Sequence, residues 1–295
     1  MARKTTKMTK TTKKLGTVCI VGPGLIGGSI GLGLKKRRLA GTVIGVGHRR
    51  VSLTKAVKMG AVDRTTQDIG KGVRDADIVI LCTSVRLIPE MAAAAIPAMK
   101  HGAVLTDVGS TKGQIVELIE GMAEEEGVEF IGGHPIAGSE QRGIAAARAG
   151  LFEGAVCILT PIGRHARALR KIKSLWRGLG AKVHAMTPDE HDRTLAATSH
   201  LPFLLAASLA NTVDEKKLPY CGPGVRDMTR IASSDPELWR DILLQNRHEV
   251  LGVLNVFQKE LDSLKSAIDG RWSRVLSAKL MRAKRLRDKI ARKVK

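Results

Sequence analysis

The sequence predicts an α/β protein, with an N-terminal doubly wound parallel sheet of the Rossmann type followed by an all-α C-terminal domain. Strand-like and helix-like segments alternate from residue 17 to about residue 186. The strand-like segments are continuous apolar runs, which is typical of parallel strands buried on both faces. After Pro188 the strand signals stop and helical patterns take over.

The elements of the first domain follow one another in the order that such a sheet requires. The predicted strands are 18–21, 43–46, 78–82, 104–108, 128–131, 155–159 and 182–185, and the predicted helices between them are 25–36, 52–59, 87–99, 112–126 and 164–179. The second domain is predicted to have helices over 189–213 and 236–295, joined by a loop over 216–235. The first of these helices is more apolar than a surface helix requires, which favours its burial in a helical dimer.

A glycine-rich segment follows the first predicted strand directly. Residues 17–34 pass from a β-branched run through Gly22-x-Gly24-x-x-Gly27 into an apolar helix. In this context Gly22 allows a tight turn, Gly24 lets a pyrophosphate approach the backbone and Gly27 lets the helix pack on the sheet. The anion would bind the free N–H groups at the start of the helix, which belong to Leu25, Ile26 and Gly27. The segment predicts a dinucleotide site, although glycine-rich turns also occur for purely structural reasons.

The residues after the second predicted strand bear on the choice of dinucleotide. NAD-binding members of this fold usually carry an acid there, which binds the ribose 2′-hydroxyl. This chain has Gly47 instead, followed by His48, Arg49 and Arg50. The missing acid and the positive charges favour NADP. NAD is the alternative if these residues only begin the next helix.

Loops at three strand ends carry candidate reactive side chains. Thr83 and Ser84 follow the strand 78–82 and are predicted to lie beside the cofactor. Ser110 follows the strand 104–108 and is a candidate catalytic residue; the alternative is that Ser110 or Thr111 caps the next helix. His134 lies between glycines and a proline after the fifth strand. Because histidine titrates near neutrality, His134 is the predicted acceptor of a hydroxyl proton during hydride transfer.

The helical part adds candidate substrate-binding residues. His200 precedes Leu201-Pro202, and it is either a binding residue or a buried histidine beside a proline kink. Arg226 and Arg230 either hold an anionic carboxylate or form ion pairs with Asp227 or Glu140. Ser234-x-x-Glu237 is interpreted as a capping box that opens the helix carrying Trp239, a further candidate contact of the substrate. The histidines lack the spacing of metal ligands, so no metal site is predicted.

Most of the positive charge lies in the two tails. The net charge is +21, but residues 1–14 carry six Lys or Arg without an acid, and residues 271–295 carry eleven against Asp288 alone. The first tail is predicted to be disordered and the second to be an amphipathic helix. We expect both to be solvated extensions, with contact to nucleic acid as the less favoured alternative.

The composition narrows the cellular setting. The four cysteines lie far apart without a CxxC pair, which favours free thiols in a reducing compartment. No apolar run is long enough to span a membrane, and the N-terminus lacks the apolar core of a signal peptide. We therefore expect a cytoplasmic protein.

Taken together, three segments resemble the prephenate and arogenate dehydrogenase family of tyrosine biosynthesis, over about residues 16–267. They are Gly-His-Pro-Ile-Ala-Gly-Ser-Glu at 133–140; Glu-His-Asp at 190–192 with Ser-His-Leu-Pro at 199–202; and Arg-Asp-Met-Thr-Arg-Ile-Ala at 226–232 with Ser-Asp-Pro-Glu-Leu-Trp at 234–239. The resemblance implies oxidation of a cyclohexadienyl C4 alcohol with loss of the ring carboxylate as carbon dioxide. The apolar helix that begins near Glu190 separately favours a homodimer formed through the helical domain.

The resemblance also implies roles for single residues. His134 matches the histidine that binds the C4 hydroxyl and accepts its proton, and Ser110 matches a serine that orients this hydroxyl and the nicotinamide. Arg230 matches the arginine that holds the ring carboxylate, and His200 matches the histidine of the family's Ser-His-Leu-Pro motif. Many relatives carry another histidine where this chain has Phe203, which leaves open the choice between prephenate and arogenate.

These inferences divide the chain into a basic tail (1–15), a dinucleotide-binding domain (16–187), a helical substrate and dimerisation domain (188–270) and a basic helical tail (271–295). Two other functions remain open at this point. One is a dehydrogenase of the β-hydroxyacid type, which would use a lysine of the helical domain as its acid and base. The other is a dinucleotide sensor that binds nucleic acid through its tails without turnover.

Overall fold

The computed structural model of the chain describes residues 15–139, 141–163 and 165–293. The predicted disordered tail lies outside these residues, except for its last residue, Leu15. None of the helices in the described ranges is both long and apolar enough to cross a bilayer.

The first part of the chain forms one eight-stranded sheet in the order β3-β2-β1-β4-β5-β6-β7-β8. The strands are β1 (Thr17–Val21), β2 (Thr42–Val46), β3 (Arg64–Thr66), β4 (Ile78–Leu81), β5 (Val104–Asp107), β6 (Glu129–Pro135), β7 (Val156–Thr160) and β8 (Lys182–Ala185). All neighbours pair in parallel except β6 and β7. The predicted doubly wound fold is confirmed, with one antiparallel pairing that the sequence did not indicate.

Helices cover both faces of this sheet and then form the second domain. They are α1 (Leu25–Lys36), α2 (Arg50–Lys58), α3 (Ile69–Val73), α4 (Ile88–Ala95), α5 (Gly113–Glu125), α6 (Ala166–Gly178), α7 (Pro188–Leu195), α8 (Leu201–Thr212), α9 (Pro223–Thr229), α10 (Pro236–Gln245), α11 (Arg247–Asp269) and α12 (Ser273–Lys293). Apolar residues of α1 and α6 form the core on one sheet face, and those of α3, α4 and α5 form it on the other. The core is almost entirely aliphatic, as the scarcity of aromatic residues requires.

Several of the predicted boundaries were wrong. The strand β3 and the helix α3 were missed, because β3 is a three-residue edge strand of polar residues without an apolar run. The predicted loop over 216–235 contains α9 and short 3₁₀ turns, because Pro223 occupies the first helical position, where proline needs no N–H partner. The predicted helix over 236–295 is three helices, which break at Asn246 and Gly270.

The predicted helix over 189–213 is interrupted by a π-helical turn at Ala196–His200, between α7 and α8. Pro202 lies two residues beyond this turn, and it cannot donate the hydrogen bond that an α-helix would direct to the Thr198 carbonyl. The helix is therefore locally wider at this turn, and this sets the position of His200. Such π turns occur often at functional sites.

His134 belongs to strand β6 rather than to the predicted loop. After Ile131, β6 continues past the end of β5 and pairs with β7, so that His134 lies opposite Ile158. Two glycines make this continuation possible: a Cβ atom on Gly132 would lie 2.3 Å from the Thr160 hydroxyl, and one on Gly133 would lie 2.8 Å from the Asp107 carbonyl oxygen. The Gly-Gly-His sequence therefore serves close packing around the histidine.

Candidate active site

The glycine motif forms a turn between β1 and α1. Gly22 has a φ of +87°, and its N–H donates to the Val46 carbonyl at 2.8 Å. A Cβ atom on Gly27 would lie 2.5 Å from the Gly22 carbonyl oxygen, whereas one on Gly24 would meet nothing within 4 Å. Gly22 and Gly27 are thus required by the turn and by packing. Gly24 leaves space in front of the first turn of α1, where the N–H groups of Leu25, Ile26 and Gly27 have no helical partner. Free N–H groups of this kind are what an anion such as a pyrophosphate binds at a helix N-terminus.

The end of β4 lies against this turn. The methyl group of Thr83 would be 3.3 Å from a Cβ atom on Gly22, and the Thr83 hydroxyl is buried without a hydrogen-bond partner in the described part of the chain. Ser84 begins a 3₁₀ turn and its carbonyl accepts from the Leu87 N–H at 2.9 Å. Thr83 therefore lies next to the glycine turn, with a hydroxyl that has no partner among the described residues.

The basic run after β2 is exposed at the same sheet edge. Arg49 is the N-cap residue of α2 and Arg50 is its first residue, and the His48 carbonyl accepts from the Gln67 amide at 2.7 Å. Neither arginine pairs with a carboxylate in the described ranges. The run does begin a helix, and its charges remain free for an anion.

His134 lies at the carboxyl end of the sheet and is 9% exposed. Its Nδ1 atom is 2.8 Å from Nε2 of His191, which lies on α7 of the helical domain. Burial lowers the pKa of His134 well below its usual range, with further contributions from His191, Lys112 and His200. His134 is therefore neutral at physiological pH, as a proton acceptor must be.

Asp192 joins the two domains next to His134. Its Oδ1 atom accepts from His191 Nδ1 at 2.7 Å and from the Lys112 N–H at 2.8 Å, and its Oδ2 atom accepts from the Gly113 N–H at 2.8 Å. Burial would raise the pKa of the Asp192 carboxyl, but these hydrogen bonds lower it below its usual value. Asp192 thus caps α5 from the helical domain.

This cap contradicts the alternative assignment of Ser110 or Thr111 as the N-cap of the fourth predicted helix. The Thr111 hydroxyl instead donates to the Gln245 side chain at 2.7 Å, which is a second link between the domains. Ser110 is half-buried in the turn between β5 and α5. Its side chain forms no hydrogen bond in the described part of the chain and remains available to a ligand.

A buried ion pair lies beneath Ser110 and His134. The Lys112 ammonium group binds the Asp107 carboxylate, and neither side chain is exposed. The same carboxylate accepts from the Gly109 N–H at 2.8 Å and from the Gly133 N–H at 3.0 Å. Asp107 thus binds the residue before Ser110 and the residue before His134, and so fixes the spacing of these two candidate residues.

His200, Trp239 and Phe203 form an apolar wall in the helical domain. His200 is 1% exposed, its Nδ1 atom is 3.1 Å from the Asn246 amide nitrogen, and burial lowers its pKa to about 4. The ring of Trp239 is parallel to that of Phe203, with a centroid distance of 3.8 Å, and His200 meets Trp239 edge-on at 6.1 Å. This geometry is compatible with both interpretations of His200, as a binding residue and as a buried histidine beside a proline. His200 is buried near Pro202, and it is close enough to His134 to affect the pKa of His134.

The Arg230 side chain forms no hydrogen bond or ion pair with this cluster in the described part of the chain. It is exposed in a 3₁₀ turn, and neither Arg230 nor Arg226 forms an ion pair with any described carboxylate; Glu140 lies outside the described residues. The predicted capping box was wrong, because Asp235 rather than Ser234 caps α10, by accepting from the Glu237 N–H at 3.0 Å. A cap one residue closer to the helix satisfies the same backbone group.

The described residues contain no group of three or more His, Cys, Asp or Glu placed to share a metal ion.

Family models match nearly all of the region that carries these features. "Prephenate dehydrogenase, nucleotide-binding domain" matches residues 30–185, and "Prephenate dehydrogenase, dimerization domain" matches residues 187–282. The chain belongs to the prephenate dehydrogenase family. The resemblance inferred from the three sequence segments is confirmed.

Individual relatives agree with the family models. The chain is 35% identical to prephenate dehydrogenase of Bacillus subtilis, in an alignment that covers 92% of this chain and 75% of that protein. It is 35% identical to cyclohexadienyl dehydrogenase of Zymomonas mobilis, in an alignment that covers 85% of this chain and 88% of that protein. A crystal structure of prephenate dehydrogenase from A. aeolicus with hydroxyphenyl propionate and NAD+ superposes on this chain with a TM-score of 0.88 and 34% sequence identity. The superposition covers 95% of this chain and 99% of that chain. Synechocystis arogenate dehydrogenase superposes with a TM-score of 0.82, 31% identity and coverage of 93% and 99%.

In this member of the family, four residues that the sequence did not assign hold the site together: Asp107, Lys112, Asp192 and Asn246. Asp107 and Lys112 were detectable in principle, since a carboxylate at the end of a buried strand needs a partner. Asp192 stands in the Glu-His-Asp segment at 190–192 but was not assigned a role, and nothing local marks Asn246, because the partners of both lie on other elements. His191 was noted in the sequence but was not assigned a role.

Proposed function

We propose that this chain catalyses the oxidative decarboxylation of prephenate or arogenate to 4-hydroxyphenylpyruvate or tyrosine, with transfer of a hydride to NADP or NAD. One observation carries the proposal: His134 is a neutral, nearly buried imidazole at the carboxyl edge of the sheet that also carries the dinucleotide turn. Ligands of such sheets bind along this edge. The family relationship supports the same reaction.

The proton balance of the reaction suits a neutral histidine. In the proposed step His134 Nε2 accepts the proton of the C4 hydroxyl as C4 becomes carbonyl-like. The C1–carboxylate bond then breaks, its electron pair enters the ring, and His134 returns the proton to the phenolic oxygen. A bound nicotinamide supplies the hydride acceptor. No net proton is consumed, so the base only has to hold a proton transiently.

The remaining roles follow from the positions of the side chains. Ser110 would orient the C4 hydroxyl, because Asp107 holds its loop and the His134 strand together. Trp239 and His200 would line the substrate ring. Arg230 would bind a carboxylate, since its exposed guanidinium lacks an ion-pair partner among the described residues. A bidentate contact between this arginine and a carboxylate would restrict the orientation of the substrate for hydride transfer.

For the cofactor we propose NADP. Gly47 offers no acid to bind a ribose 2′-hydroxyl, and Arg49 and Arg50 carry free charge at the start of α2. A 2′-phosphate would be attracted to these charges. The A. aeolicus structure was solved with NAD+, so NAD remains the alternative.

We further propose a homodimer formed through the helical domain. Large apolar side chains of this domain are exposed in the single chain, and among them are Leu244, Leu251, Val256, Leu261 and Ile268. Exposed apolar side chains that lie together on a surface indicate a protein interface. The division of the chain at residues 15, 187 and 270 stays part of this proposal.

A spectrophotometric assay tests the reaction. Purified protein is incubated with prephenate or arogenate and with NAD+ or NADP+, and the absorbance at 340 nm is followed together with the aromatic product. We expect reduced dinucleotide and product in equal amounts, with the higher kcat/KM for NADP+. Turnover of neither substrate would contradict the proposal. Turnover of a β-hydroxyacid instead would place the chain with the other two-domain dehydrogenases.

A further inference from the structure

Three side chains form an unbroken hydrogen-bonded series from the cleft to the domain interface. His134 Nδ1 is 2.8 Å from His191 Nε2, and His191 Nδ1 is 2.7 Å from Asp192 Oδ1. His134 belongs to the sheet, whereas His191 and Asp192 lie on α7. All three are buried, so water does not compete for these bonds.

The direction of each hydrogen bond follows from Asp192. Its carboxylate already accepts from two backbone N–H groups, at Lys112 and Gly113, and it has no proton to donate. His191 must therefore carry its proton on Nδ1, which leaves Nε2 as an acceptor. His134 must then carry its proton on Nδ1, and its Nε2 atom has a free lone pair. The backbone of α5 thus determines the tautomer of His134 through two side chains.

We propose that His191 and Asp192 are positioning residues that hold His134 in the tautomer with a free Nε2, and that docking of the helical domain on the start of α5 sets this tautomer. The inference rests on the proposed role of His134 as the proton acceptor. A histidine with its proton on Nε2 would present a donor to the C4 hydroxyl and could not accept its proton.

The charges around His134 agree with this role. Lys112 lies nearby from the α5 side, but its charge is balanced by Asp107, with which it forms a buried pair. His200 on the π turn is neutral, since burial lowers its pKa to about 4, and the Cys157 thiol on β7 is uncharged because burial raises its pKa. Asp192 is therefore the carboxylate left to stabilise the positive charge that His134 holds transiently.

Two substitutions of His191 test the proposal in the intact chain. In His191→Gln the amide oxygen can still accept from His134 Nδ1, whereas in His191→Phe nothing can. We expect His191→Phe to lower kcat about 10²- to 10⁴-fold, the usual contribution of general acid–base catalysis. His191→Gln should stay within about tenfold of the wild type, and KM for the dinucleotide should not change in either variant.

Thr187→Ala is the matched control for damage to α7. Thr187 caps α7, since its hydroxyl accepts from the Glu190 N–H at 3.1 Å, and it does not touch the series. We expect this variant to lose thermal stability but to keep its kcat and its pH profile. Equal losses of kcat in His191→Phe and His191→Gln, or an unchanged kcat in His191→Phe, would overturn the proposal.

Nitrogen NMR of the imidazoles gives a readout that does not depend on activity. The eight histidines are ¹⁵N-labelled, and His134 is assigned by comparison with His134→Gln. We expect a proton on Nδ1 of His134 in the wild type and in His191→Gln, and a shift toward Nε2 in His191→Phe. A wild-type proton on Nε2 would overturn the tautomer assignment. The expected spectra together with a fully active His134→Asn would leave the tautomer assignment intact and refute the catalytic role of His134 instead.

Discussion

The carboxylate of Asp107 and the ammonium group of Lys112 form an ion pair in which neither side chain has any exposed surface. Removing two charges from water costs several kcal/mol per ion, so the pair is stable only because its other lone pairs are also used. Two backbone N–H groups, at Gly109 and Gly133, satisfy the carboxylate. The pair thus ties the β5–α5 turn to the strand that carries His134.

We predict that Asp107→Asn destabilises the protein by about 3–5 kcal/mol, because it leaves the Lys112 charge buried without a partner. Asp107→Asn combined with Lys112→Met should recover part of the loss, since no buried charge then remains. Urea unfolding followed by circular dichroism measures both effects. An Asp107→Asn variant as stable as the wild type would show that the pair contributes little.

For His134→Asn we expect kcat to fall about 10²- to 10⁴-fold while dinucleotide affinity survives, because the proton acceptor is lost but the glycine turn is not. Since burial lowers the pKa of His134 well below 6.5, the wild-type kcat should stay flat from pH 8 down to pH 6.5 and decline only at lower pH. Steady-state kinetics and dinucleotide titration measure these effects. An unchanged rate at saturating substrate would contradict the assignment.

Stability should fall as the pH is lowered from about 6.5 toward 4. His134, His191 and His200 all have pKa values lowered by burial, to about 4 for His200. In this window the unfolded chain takes up protons that the folded chain cannot, so the free energy of unfolding decreases as the pH is lowered. In His200→Phe the decrease between pH 6.5 and pH 4.5 should be smaller, as judged from urea midpoints at each pH. If the urea midpoints of the wild type and of His200→Phe fell equally with pH, His200 would not contribute to the loss of stability.

Arg230→Gln should raise KM for the substrate while kcat changes less. A charge-assisted hydrogen bond contributes about 1.5–3 kcal/mol, which corresponds to roughly 10- to 150-fold in KM. Arg226→Gln is a matched control, because Arg226 is also exposed and carries the same charge one helical turn earlier. If both variants raised KM alike, the effect would be long-range attraction rather than a specific contact.

Features that depend on the conformation and packing of the local backbone could be predicted from the sequence. The dinucleotide turn follows from Gly22 and Gly27, whose positions tolerate no other residue, and His134 is marked by the two glycines that let its strand continue. These signals lie within a few residues of the structure that they specify. The same holds for the buried parallel strands, which are apolar throughout.

Features that depend on distant partners could not be predicted. The sequence favoured a local cap for α5, at Ser110 or Thr111, but the cap is Asp192, which lies 79 residues beyond Gly113. Similarly, Asn246 holds His200 from a helix break that no pattern indicated. Both contacts exist only because the helical domain packs on the sheet. A single sequence gives no signal for pairs of this kind.

The last prediction concerns the cofactor. A Cβ atom on Gly47 would lie 3.3 Å from a Leu53 methyl group and 3.6 Å from Pro23, so a side chain fits there after a small shift. Gly47→Asp should move the preference toward NAD, because a carboxylate binds the ribose 2′-hydroxyl and repels a 2′-phosphate.

Gly47→Asn is the matched control, since it adds the same bulk without the charge and should change the preference less. In the wild type the advantage of NADP should shrink as salt is added, because the exposed charges of Arg49 and Arg50 are screened. The ratio of kcat/KM for the two dinucleotides, measured at low and high ionic strength, tests this directly. A wild-type enzyme that used NAD as well as NADP would show that Arg49 and Arg50 only begin α2.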